Sequence, residues 1–213
     1  MLRQFIRALL VLLAVTPAGA QEQGDDDGVA SLRAFLADIT TLEAVFEQTL
    51  SPNGDIEPQV SRGRFYLKRP GRFRWDYQEP AEQLVVSDGE RIWMFDRDLD
   101  QVTVRPVDES LRGTPAMLLS GEASLDESFA VIGSRREDGI QYVTLEPRQA
   151  SPEFESLTVG LAEGEIVSME LLDGIGQRSL IEFSDLRRDP PLDDELFRFE
   201  PPPGVDVIGA GED

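Results

Sequence analysis

FYLKRPGRFRWDY, residues 65–77, alternates on either side of a break. Phe65 and Leu67 fall on one side of the chain, and Tyr66 and Lys68 on the other. After Pro70-Gly71, Phe73, Trp75 and Tyr77 stand opposite Arg72, Arg74 and Asp76. A period of two marks a strand with one apolar face, and Pro-Gly marks a turn. The stretch therefore reads as two antiparallel strands, 63–68 and 72–77, that bury aromatic side chains on one surface.

The same period continues outward. Upstream, Leu42, Ala44, Phe46, Gln48 and Leu50 recur every second residue. Downstream, 82–87 and 91–95 flank Asp88-Gly89 as a hairpin, and 101–107 is the next strand. Strand patterns resume at 129–134, 140–146, 154–161, 165–172 and 178–183, with Asp138-Gly139, Glu163-Gly164 and Asp173-Gly174 as turns. Two stretches are helical. Leu32, Phe35, Leu36 and Ile39 lie at i, i+3, i+4 and i+7, one face of an amphipathic helix. Residues 114–119 form a short apolar helix, with Thr114 as N-cap and Pro115 in the first helical position. Residues 192–196 suit a helical turn, and Pro201-Pro202-Pro203-Gly204 ends regular structure. There is no internal repeat. About ten or eleven strands at short spacing predict a mostly β fold with a few short helices: one antiparallel sheet, curved or closed into a barrel. Such a barrel holds a ligand when its inner face is apolar and not filled by side chains.

The amino terminus carries a different signal. Arg3 and Arg7 precede the apolar run Ala8 to Val15; Thr16-Pro17 breaks it, and Ala18-Gly19-Ala20 is a small-x-small cleavage pattern. This is the order of a secretory signal peptide, and the run is far shorter than the roughly 20 residues of a spanning helix. Residues 1–20 are expected to be removed. The polar, acidic stretch 21–29 is expected to be a disordered leader, 30–208 a single domain, and 209–213 a flexible tail.

Composition excludes several classes of function. The chain has 41 acidic and 20 basic residues, a net charge of −21. Loss of Arg3 and Arg7 with the signal takes −21 to −23. Such a surface repels nucleic acid and anionic headgroups, and it favours a soluble monomer. There is no histidine and no cysteine. A Ser-His-Asp triad, a histidine or thiolate metal site, a disulfide and a lipid-modified cysteine are all out of reach. The acidic runs Asp25-Asp26-Asp27 and Asp193-Asp194-Glu195 lack the alternating oxygens and glycine of a calcium loop, and read as solvated faces or helix N-termini. No catalytic group, metal or cofactor is expected.

Two features stand out. Arg69 lies in the Pro70-Gly71 turn between two aromatic strands, in phase with Phe65, Leu67, Phe73, Trp75 and Tyr77. With five donors and no acceptor, it could hold the carbonyls of a mobile element. On pattern alone, a solvated turn arginine is the simpler account. The segment 114–119 must bury Met117, Leu118 and Leu119, either as a lid over a ligand or as a plain cap on one end of the barrel.

Taken together, LEAVFEQTL (42–50), GRFYLKRPGRFRWDY (63–77), LVVSDGERIWMFD (84–96), QVTVRPV (101–107), GTPAMLL (113–119) and FRFEPPPGVDVI (197–208) resemble the LolA family of periplasmic lipoprotein carriers. The resemblance implies an incomplete antiparallel barrel with a helical lid over an apolar cavity. It implies a chaperone that shelters the acyl chains of outer-membrane lipoproteins in the periplasm. Cargo would come from an ATP-driven releasing complex in the inner membrane and pass to a receptor in the outer membrane. By the same resemblance Arg69 is the lid latch, and Pro115, Met117, Leu118 and Leu119 belong to the lid helix. Phe46, Phe65, Leu67, Phe73, Trp75 and Met94 are then the candidates for the cavity wall. The strong acidity departs from the family pattern. A lipid- or lipoprotein-sensing regulator, or a carrier of another lipid on the same fold, is the alternative. Missing histidine and cysteine disfavour a hydrolase.

Overall fold

The computed structural model describes residues 23–54, 56–107, 115–121, 124–149 and 155–209. The expected signal peptide, Thr114 and all of the tail but Gly209 lie outside them.

Twelve strands form one sheet. They are β1 (Thr41–Ser51), β2 (Gln59–Lys68), β3 (Arg72–Glu79), β4 (Gln83–Asp88), β5 (Arg91–Asp96) and β6 (Gln101–Pro106), followed by β7 (Phe129–Glu137), β8 (Ile140–Pro147), β9 (Ser156–Ala162), β10 (Glu165–Leu172), β11 (Arg178–Arg188) and β12 (Asp206–Ile208). Their order is β12-β6-β5-β4-β3-β2-β1-β11-β10-β9-β8-β7. Two meanders, β1–β6 and β7–β11, join where β1 pairs with β11, with Phe46 opposite Phe183. β7 and β12 lie at opposite ends of this order and do not bond to each other, so the sheet curls without closing. Asp138-Gly139 and Glu163-Gly164 both have positive φ at each residue, the two-residue hairpin geometry that suits a right-handed strand twist.

Three differences from the sequence reading have physical reasons. β12 runs parallel to β6, pairing Asp206–Ile208 with Gln101–Thr103, so the sheet is not wholly antiparallel. Three residues carry no readable period, and the prolines before them signal an end to regular structure. β11 runs on to Arg188, past the expected 183, and pairs with β1 as far as Leu42. Helix α1 (Gln23–Asp38) begins inside the expected leader. Residues 25–27 of the acidic run fall early in that helix.

Two further helices are short: α2 (Pro115–Ser120) and α3 (Leu125–Ser128). Ser124 caps α3 in a reciprocal box with Glu127. A 3-10 turn, Asp194–Phe197, is capped by Asp193. Among the described residues no helix is long and apolar enough to cross a membrane.

The sheet buries both faces, unequally. The concave face carries one large cluster drawn from β1–β5 and β7–β11, together with Leu32, Phe35, Leu36 and Ile39 of α1 and Leu118 and Leu119 of α2. The convex face carries a small second cluster at one end. Val86, Phe95, Val102, Val104 and Phe197 are buried there, and Phe199 lies against Trp93 and Phe95 with ring centroids 5.9 and 5.7 Å away.

Candidate functional site: helices latched over an apolar face

The turn between β2 and β3 lifts Arg69 toward the helices. Its backbone N–H donates to Thr40 O at 2.9 Å, which fixes the turn against the start of β1. Its side chain then reaches two helix ends at once. Nε donates to Leu119 O at 2.8 Å, in the last turn of α2, and Nη1 donates to Leu36 O, in the last turn of α1. Carbonyls in a last helical turn lack partners within the helix and carry the negative end of its dipole. Neither helix has a basic residue of its own there. Arg69 supplies the cation from outside and ties the two helices together. Burial pulls its pKa below the usual arginine value, yet guanidinium keeps its charge in a protein. Those carbonyl bonds offset the cost of burying it.

The backbone around the latch is shaped to it. Gly71 N–H donates to Ser120 O at 3.2 Å, a second bond from the same turn to α2. Gly121 follows α2 with φ of +73°, and a β-carbon there would stand 2.8 Å from Arg69 Cδ and Nε. Only glycine takes that conformation cheaply and leaves the guanidinium room. A weaker clasp lies alongside: Arg33 of α1 pairs with Asp126 of α3 at 2.8 Å, both more than half exposed. Arg33, Arg69, Gly121 and Asp126 border a cleft of about 410 Å³ along the seam between the helices.

Beneath the helices lies the apolar face. Phe46, Phe65, Leu67 and Phe73 are at most 1% exposed, so no water fits against them. Side chains of α1 and α2 join them in one buried cluster, and there is no open space at these four. An empty apolar void would forfeit the dispersion contacts of its whole lining. A ligand on this face must displace helices, not fill a preformed hole. Trp75 is 8% exposed, and Met94 packs half-buried on the same cluster. All six residues expected to line a cavity therefore share one face. Leu118 and Leu119 are buried with them, whereas the side chains of Pro115 and Met117 lie outside the described residues.

Helix α1 lies across the inner ends of β7 to β10. Phe35 sits under the Arg188 guanidinium, 4.6 Å from ring centroid to Cζ, and Arg188 is itself tied to Glu165 at 2.9 Å. Leu36, Gly121 and Ser124 were missed as members of this site. Leu36 acts through a carbonyl that no pattern marks. Gly121 and the Ser124-x-x-Glu127 box were readable signals.

A curled, unclosed sheet with helices fastened over its apolar concave side defines a class: lidded half-barrels. Residues 37–200 match the family described as outer membrane lipoprotein carrier protein LolA. The chain belongs to this family. An outer-membrane lipoprotein carrier protein of Methylococcus capsulatus is 38% identical over 199 residues, covering 93% of this chain and 96% of its own length. Another, of Methylibium petroleiphilum, is 42% identical over 182 residues, covering 85% of this chain and 89% of its own. In fold alone, the chain is similar to the crystal structure of an uncharacterised conserved protein from Thermus thermophilus, with TM-score 0.51 and 13% identity over 86% of this chain and 97% of that one.

Proposed function

We propose that the chain is a periplasmic carrier that shelters the acyl chains of outer-membrane lipoproteins. Family membership and the names of its relatives support the cargo class. The observation that carries the mechanism is Arg69, holding the last turns of α1 and α2 shut over a filled apolar face.

The physics suits a protein that must let go. Each buried methylene contributes about 0.8 kcal/mol, so several acyl chains bind very tightly to an empty apolar groove. Here cargo enters only by lifting the helices, which exposes their own apolar side chains and breaks the Arg69 bonds. That cost is subtracted from the gain and lowers the net affinity. Release is then helped by the helices falling back. In this reading Arg69 is the latch, Leu118 and Leu119 belong to the lid together with Pro115 and Met117, and Phe46, Phe65, Leu67, Phe73, Trp75 and Met94 face the cargo. Residues 1–20 direct export and are cleaved, and 30–208 form the carrier domain. The protein works as a monomer, with no cofactor and no catalytic step. An ATP-driven complex in the inner membrane loads it, and a receptor in the outer membrane unloads it. Its acidity calls for basic surfaces on both.

The test is to incubate the purified mature protein with membranes that hold lipoproteins and the releasing complex, then separate the soluble fraction. A soluble 1:1 complex of carrier and lipoprotein is expected. Lipoprotein that stays with the membrane despite ATP overturns the reading.

A further inference from the structure

The concave face is not apolar throughout. At the end remote from the latch, coverage by the helices fails: Tyr77, Val85, Met94, Leu171 and Phe183 pack on the cluster but remain partly exposed. Three polar side chains line up there. Tyr77 Oη donates to Gln48 Oε1 at 2.8 Å, and Gln48 Nε2 donates to Ser179 Oγ at 2.7 Å. They come from β3, β1 and β11, and all three share the face of Phe46, Trp75 and Ile181.

Two observations show that this row is built. Tyr77 on β3 meets Gln48 on β1 across the intervening strand β2, which is possible because β2 carries Gly63 at that register. Gly63 pairs with Phe46 on one side and Tyr77 on the other, and a β-carbon there would lie 2.0 Å from the Asp76 carbonyl oxygen and 2.9 Å from Phe46 Cε1. The tyrosine ring lies edge-on against Phe46, centroids 4.9 Å apart. Burial also pushes the phenol pKa up to about 12, so it stays a donor at any physiological pH. The direction of the chain is set by the atoms that meet. Tyr77 donates to the amide oxygen and the amide nitrogen donates to Ser179; among the described residues the serine O–H and the second N–H of Gln48 have no acceptor. The row ends in two free donors at the half-open rim of an apolar surface.

We propose that Gln48, Tyr77 and Ser179 form a station for the carbonyl oxygens that link acyl chains to the cargo's polar end. The inference rests on the carrier reading and deepens it. Ester and amide carbonyls are acceptors only, and they must follow their chains to the edge of the apolar face. A carbonyl left there without a donor forfeits its water bonds. The free N–H and O–H meet that need, and they fix the depth to which the chains enter.

The test compares two probes that differ only in carbonyls: dipalmitoylglycerol, which has ester linkages, and its dihexadecyl ether analogue, which has none. Each displaces the fluorescent apolar probe N-phenylnaphthylamine from the mature protein. The ester is expected to bind about fivefold tighter than the ether, the yield of one or two net hydrogen bonds. In the triple variant Gln48→Leu, Tyr77→Phe and Ser179→Ala, which removes every donor of the row, that ratio falls toward one through weaker ester binding. Ser179→Ala alone, which removes one half-exposed hydroxyl, gives an intermediate ratio and guards against misfolding of the triple variant. An ester-to-ether ratio that is the same in wild type and variants overturns the station but leaves the carrier reading standing. Failure of both lipids to displace the probe overturns both.

Discussion

The two apolar clusters of this sheet are differently fastened. The convex cluster is roofed by Phe197, the last residue of a 3-10 turn, and by Phe199 just beyond it. Asp194 of that turn accepts from Lys68 at 2.5 Å and Arg72 at 2.8 Å, and β12 then pairs with β6 just beyond. The roof is part of the sheet's own hydrogen bonding. The concave cluster is roofed by helices of which two are 6 and 4 residues long, too short to stand alone. The six-residue helix α2 is tied to the sheet by the turn at Arg69 and Gly71, and the four-residue α3 by Arg148, at the end of β8. Burial alone does not separate a permanent core from a displaceable cover. What separates them is how many strand-to-strand bonds must break before the apolar surface meets water.

The sharpest way to break this comparison is at its permanent side. Phe197→Ala removes a ring that is 1% exposed. It should cost about 3–5 kcal/mol, read as a large fall in melting temperature, with no gain in binding of an apolar dye while the protein stays folded. A dye signal comparable to that of a latch variant would show the convex roof to be displaceable too.

Arg69→Leu acts on the other side. It removes charge-assisted bonds to two helix ends, worth about 2–3 kcal/mol together, but the loss falls on the lid equilibrium and not on the sheet. Dye binding should rise severalfold at nearly the wild-type melting temperature. Lipoprotein release should slow more than uptake. Transfer at the wild-type rate would sink the latch.

Gly121→Ala sharpens the same point without touching the arginine. Positive φ and the approach to Arg69 Cδ should together cost about 1–2 kcal/mol, and dye binding should shift in the same direction as with Arg69→Leu but less far. The smallest effect is expected from Arg33→Ala. Its ion pair with Asp126 is well exposed and worth under about 1 kcal/mol, so it should shift dye binding barely and only at low salt.

Much of the strand framework was legible, because alternation survives wherever one face is buried. β2 and β3, read from FYLKRPGRFRWDY, keep their expected register around the turn, with Phe65 opposite Trp75 and Leu67 opposite Phe73. Legibility failed where the determinant is a backbone group or a contact across strands. Pattern alone favoured a solvated turn arginine; the structure half-buries Arg69 against carbonyls of Leu36 and Leu119, groups that every residue possesses. Gln48 was visible as one member of an alternating strand, but its partner Tyr77 lies two strands away. α1 was read from Val29 onward because its first residues are acidic and carry no apolar stripe.

The unbonded seam between β7 and β12 has a mechanical consequence. In a closed barrel, strand number and shear together fix the diameter, and widening it means breaking a whole ladder. An open sheet has no such quantised girth. Its radius changes by bending spread over eleven strand junctions, each with its hydrogen bonds intact, so the same chain can wrap a slim burden or a bulky one.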